Sequence, residues 1–142
     1  MYRDPSLYFV DILVAVDKIK RYTKEIPDYE KFISNEIVLD AVVRELIIIG
    51  ESINKLLKQN IIDEKYRKIV DFRNMIVHKY FGIDYEMVWN IVHNNIIELE
   101  KNILTFIKNN KYNISDAIEE TIKDFEYQIE TVKFLNKLKE EI

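Results

Sequence analysis

Two glycines and two prolines in 142 residues leave this chain few places to turn. Gly and Pro are the strongest local punctuators of a backbone, and no Asn-Gly or Asp-Gly pair offers a tight hairpin. Ile, Leu, Lys, Glu and Asn supply much of the rest, so long helices joined by few loops are the expected architecture. The 48% hydrophobic content suits one domain with a normal core, and the length is too small for two domains of typical size.

Helix starts can be read from capping residues. Asp4-Pro5 supplies an N-cap and a first-turn proline, and Leu7, Val10, Ile12, Leu13, Val16 and Ile19 keep helical spacing until a stop before Pro27. After a connection through Tyr29 and Phe32, Ser34 is expected to cap a second helix to about Lys58. Its inward set is Ile37, Val38, Ala41, Val42, Leu46, Ile49, Ile53 and Leu57. Ile47 and Ile48 widen this stripe, which places the helix at the centre of the bundle or against a partner subunit. Gly50 lies inside it, where Gly costs about 1 kcal/mol relative to Ala; either it is merely tolerated or another backbone approaches closely there.

Asp63 is expected to cap a third helix through Lys79, with Gly82 at its left-handed end. Asp84 caps a fourth, using Met87, Val88, Ile91, Val92, Ile96, Leu99, Ile103 and Phe106, and Asn109-Asn110 break the pattern. Ser115 opens a fifth whose apolar residues from Ile118 to Leu138 form a seam with an acidic outer face. The expected fold is therefore all-α, an up-and-down four-helix bundle over residues 1–110 with an additional C-terminal helix over 111–142.

Composition excludes several classes. The absence of cysteine removes disulfides, thiol nucleophiles and thiolate metal sites. His78 and His93, with no His-Glu-x-x-His pattern, give little support for a metal site, and no metal or cofactor is expected. No signal peptide or membrane-length apolar run appears, since Leu46-Ile47-Ile48-Ile49 is flanked by Glu45 and Glu51, and a soluble cytoplasmic protein is expected. A net charge of -4 argues against strong non-specific nucleic-acid binding. Within residues 65–79, however, Lys65, Arg67, Lys68, Arg73 and Lys79 stand against Asp71 alone, so the local field is positive.

That basic stretch contains the candidate site. The run Arg73-Asn74-Met75-Ile76-Val77-His78-Lys79-Tyr80 sets a guanidinium, an imidazole and a phenol within eight residues. Arg presents a planar fork of donors suited to phosphate oxygens, and His moves protons near neutrality; together they suggest chemistry on a phosphodiester. Arg73 and His78 lie about 140° apart on an ideal helix of ~3.6 residues per turn, so convergence needs the helix end to depart from ideal geometry. Asn74 and His78, four apart, can touch, which would let Asn74 orient the imidazole. Spacing alone also fits capping and interface residues. His93 reads as a half-buried structural histidine, Trp89 as core or interface, and Glu45 and Glu51 either as an acid pair or as surface partners of Arg44 or Lys55.

The segment from Ile69 to Trp89, with Arg73-Asn74, His78, Tyr80, Phe81-Gly82-Ile83-Asp84 and Val88-Trp89, resembles the signature region of the HEPN ribonuclease-toxin family, in particular its HepT branch. Asp40-Ala41 and Ile49-Gly50-Glu51 match a second family pattern, and the likeness extends over about residues 4–108. It implies a homodimeric bundle whose paired motifs cut RNA, such as single-stranded, transfer or messenger RNA, without a metal. His78 would be general base or acid, Arg73 would bind the scissile phosphate, and Asn74 would orient. Lys79, Arg67 and Lys68 would contact substrate. Family members work with a minimal nucleotidyltransferase antitoxin that transfers AMP to the motif tyrosine, here Tyr80. Lys79 departs from the acidic or polar residue common there. A second reading is a non-catalytic subunit that binds substrate or nucleotide for a nucleotidyltransferase, and a third is a dimerisation module.

Overall fold

The computed structural model describes residues 3–78 and 82–142, the side chains of Val77 and His78 excepted. The described residues contain helices and no strand, as the scarcity of turn formers requires. Helix α1 (Pro5–Thr23) starts where Asp4 accepts from the Ser6 amide at 2.8 Å, with Pro5 in the first turn. It is buried almost all round: Phe9 and Val10, then Ile12 through Val16, are enclosed. A helix apolar on every side must be covered on every side, and α1 is the central element.

Its neighbours supply that cover. Tyr29 and Phe32 belong to a short helix α2 (Tyr29–Ser34), capped by Asp28 and plugged into the core by Phe32. Asn35 both ends α2 and caps α3 (Glu36–Lys58), its side-chain oxygen accepting from Val38 N at 3.1 Å. The expected cap at Ser34 thus moves by one residue, because Ser34 is still helical. Ile37 is 83% exposed instead of inward, on the outer side of a first turn whose Leu39 is buried. Ile47 and Ile48 are half-buried.

Asn60, in the left-handed region at φ 57°, closes α3. Asp63 caps a 3₁₀ turn, Glu64–Tyr66, which runs directly into α4 (Arg67–His78). The expected C-terminal end at Lys79 and the left-handed cap at Gly82 depend on residues 79–81, outside those described. Asp84 caps α5 (Tyr85–Asn90) by accepting from Met87 N at 3.1 Å. A π-helical turn, Ile91–Asn95, then joins α5 to α6 (Ile96–Asn109) without a break. Lys111, at φ 55°, ends α6.

The expected fifth helix is two. Helices α7 (Ser115–Asp124) and α8 (Ile129–Glu141) form a hairpin about Phe125–Gln128, closed by Gln128 N donating to Phe125 O at 2.8 Å. Ile118 and Thr121 from one arm, and Thr131, Leu135 and Leu138 from the other, are buried, and both arms pack on α1. A single straight helix would carry half of that stripe past the end of α1. Across the molecule α3 lies on α1, α4 on α3, and α6 on a further side of α1.

Candidate functional site

The α4 stripe that faces α3 reads Ile69, Val70, Arg73, Ile76, spaced by one, three and three. Val70 and Ile76 are buried and Ile69 and Arg73 half-buried, so Arg73 takes a position that the pattern would give to an apolar residue. Its aliphatic stem can lie against apolar surface while its charged head reaches outward. What admits it is Gly50 on α3: a Cβ there would stand 2.3 Å from Arg73 Cβ and 2.7 Å from Cγ. The close approach expected at Gly50 is thus to an arginine stem, not to a backbone; the nearest backbone atom, Ile69 O, would be at 3.6 Å, an ordinary contact.

The guanidinium is held locally. Asn74 Oδ1 accepts from Arg73 Nη1 at 2.9 Å, and the contact expected between Asn74 and the His78 imidazole falls on a side chain outside the described residues. Arg73 Nε is buried and has no acceptor among the described residues. The backbone of α4 remains helical through His78. Positions 73 and 78 therefore stay about 140° apart in register. The imidazole of His78, and Lys79 and Tyr80 entirely, lie outside the described residues.

The other basic candidates separate. Arg67 is exposed and donates from both Nε and Nη2 to Glu64, each at 3.2 Å. That bond raises its pKa further. Lys68 is exposed and lines an apolar cavity of about 240 Å³ between α3, α4 and α5, beside Phe72, Met87 and Ile91. A groove of about 670 Å³ around α2 touches none of the described motif residues.

His93 is exposed, not half-buried: it sits in the π turn with its ring centroid 3.8 Å from that of Trp89 and Nδ1 hydrogen-bonded to Trp89 O at 2.9 Å. The wider π turn carries the ring out over the indole. Trp89 packs in turn on Phe32, at 5.1 Å. Glu45 is 3% exposed and accepts from Arg44 at 2.8 Å, so it is a buried carboxylate with a surface partner, and Glu51 is exposed. Among the described residues no group of three or more His, Asp or Glu is placed to hold a metal, and no helix is long and apolar enough to cross a membrane.

The fold and the Arg73 setting define a helical domain that offers a positioned guanidinium beside a histidine-bearing helix end. The HepT-like ribonuclease family model matches residues 12–106. Among curated relatives, "Putative RNase MJ1380" of Methanocaldococcus jannaschii is 36% identical over 104 residues, 71% of this chain and 94% of the relative. "Putative RNase MJ0125" of the same organism is 38% identical over 111 residues, 75% of this chain and 93% of the relative. "Probable ribonuclease HepT" of Thermococcus cleftensis is 31% identical over 103 residues, 70% of this chain and 93% of the relative. No solved structure gives a significant match. The chain belongs to the HepT-like, HEPN-type ribonuclease family. The matched region stops before α7, so the α7–α8 hairpin lies outside it.

Proposed function

We propose that this protein is a metal-independent endoribonuclease, active as a homodimer in the cytoplasm and serving as the toxin of a toxin–antitoxin pair. The observation that carries the proposal is the setting of Arg73, its stem seated against Gly50 and its Nη1 held by Asn74, within a chain of this family. Such a guanidinium suits a phosphodiester, whose charge grows in the transition state of cleavage.

In the proposed reaction His78 takes the proton of a ribose 2′-hydroxyl as that oxygen attacks the neighbouring phosphorus. The new O–P bond forms while the bond from phosphorus to the 5′ oxygen breaks. The departing oxygen takes a proton, leaving a 2′,3′-cyclic phosphate on one fragment and a 5′-hydroxyl on the other. One chain brings one motif histidine, so a dimer lets the same residue of a second copy act as the acid. The 140° register between positions 73 and 78 supports this: joining two motifs across a cleft does not require both groups to share one face of α4. Lys68 and Lys79 would guide the RNA backbone, with Arg67 secondary because Glu64 occupies its fork.

A minimal nucleotidyltransferase partner would silence the enzyme through Tyr80. The phenol oxygen would attack the α-phosphorus of ATP, pyrophosphate would leave, and the attached AMP would put negative charge and bulk where RNA phosphate binds. The acidic segment 111–142 is an extension to the bundle of residues 1–110.

The test is cleavage of mixed single-stranded and transfer RNA in EDTA by wild type, His78→Ala and Arg73→Ala, all compared as folded dimers. Wild type should leave 2′,3′-cyclic ends, and each variant should lose at least about 100-fold in rate. Full activity in His78→Ala would sink the mechanism, and an inactive unmodified wild type would point to a subunit that only binds substrate or nucleotide.

A further inference from the structure

We infer that Gly50 is a positioning residue for Arg73: its missing side chain is the notch in α3 that sets where the α4 guanidinium stands. The catalytic consequence rests on the role proposed for Arg73; the notch itself does not.

Three observations lead here. First, Gly50 sits inside the 23-residue α3 with no positive φ, so backbone conformation gives no reason for glycine, and Ala would be the better helix former. Second, the atoms that would block a side chain are Arg73 Cβ and Cγ, at 2.3 and 2.7 Å. The nearer of the two, Cβ, is fixed to the α4 backbone, so no rotamer change of the arginine relieves that clash. Restoring an ordinary carbon–carbon contact of about 3.5–4.0 Å from 2.3 Å would require α4 to move away from α3 by more than about 1 Å. Third, the seated stem leaves Nε enclosed without an acceptor among the described residues, while Asn74 holds Nη1. The guanidinium is therefore fixed near its base by α3 and at its tip by Asn74, and a shift of α4 would move it as a unit.

Misplacement of about 1 Å can cost a catalytic group on the order of 100-fold in rate. Gly50→Ala is expected to lower the single-turnover rate of RNA cleavage by 10- to 100-fold, with helix content unchanged and kcat falling by more than KM rises.

A double-mutant cycle with Arg73→Gly decides the matter, because that substitution removes both blocking atoms. In the wild-type background, Gly50→Ala should lower Tm. In the Arg73→Gly background it should raise Tm, since only the helix preference of Ala remains. Cleavage by Arg73→Gly should be lost, and adding Gly50→Ala to it should change the residual rate by less than twofold. If Gly50→Ala alone fails to fold, folding of the double variant is the expected rescue. An equal Tm change in both backgrounds, or a wild-type cleavage rate in folded Gly50→Ala, overturns the inference. Cleavage by Arg73→Gly at the wild-type rate would instead sink the catalytic role of Arg73, and the reversal in Tm would still judge the notch.

Discussion

Asn74 has a partner that helical spacing does not suggest. Sequence spacing pairs it with His78 one turn on, and its carbonyl oxygen lies on Nη1 of its chain neighbour Arg73 at 2.9 Å. Asn is neutral, so it orients the guanidinium without cancelling its charge. Asn74→Asp should keep the hold but neutralise the cation locally. For a 2′-deoxy oligonucleotide that cannot be cut, the variant should bind more weakly, and the slope of log K against log salt should fall by about 0.7, one phosphate contact on a single strand. Anisotropy titrations at several salt concentrations would read this; an unchanged slope would mean that Arg73 does not meet a phosphate.

Among the elements, capping signals transferred well from sequence to structure because a cap is a contact within four residues. Asp4, Asp63 and Asp84 each accept from a nearby amide as their positions suggest. Asp84→Ala should remove about 1 kcal/mol and loosen the first turn of α5, read as a lower denaturation midpoint with an unchanged slope; no loss would mean that water replaces the cap at no cost. The C-terminal seam transferred poorly. Apolar residues spaced by three or four between Ile118 and Leu138 fit one long helix as well as two short ones. Bending at Phe125–Gln128 brings both arms onto α1, and Lys18 on α1 fastens the bend, donating to Gln128 Oε1 at 2.9 Å and lying 4.5 Å from the centre of the Phe125 ring.

At the scale of the whole molecule, that fastening buries a charge. Lys18 is 6% exposed, and burial holds its pKa below the ordinary lysine value, partly opposed by Glu45, with Arg44, Arg21 and Asp17 also acting on it. The folded chain therefore binds fewer protons at Lys18 than the unfolded chain does. Its contribution to stability rises as pH climbs from the lowered value toward the ordinary one, and is lost as pH falls through the lowered value. Lys18→Met keeps the stem and removes this dependence. Wild type minus variant stability, from denaturation at a series of pH values rising toward the ordinary lysine pKa, should increase with pH, and a flat difference would refute the buried-ammonium account.

Local pattern by itself determined that this chain is helical, where most helices begin, and that residues 73–80 gather its candidate phosphate-binding and proton-moving groups, because capping and periodicity act within one or two turns. Resemblance in that same stretch placed it in its family. Tertiary structure alone decided that Gly50 receives Arg73 and that the C-terminal seam folds back on α1. Those outcomes depend on which faces of separate helices meet and at what distance, and a helix carries the same period whichever neighbour it finds.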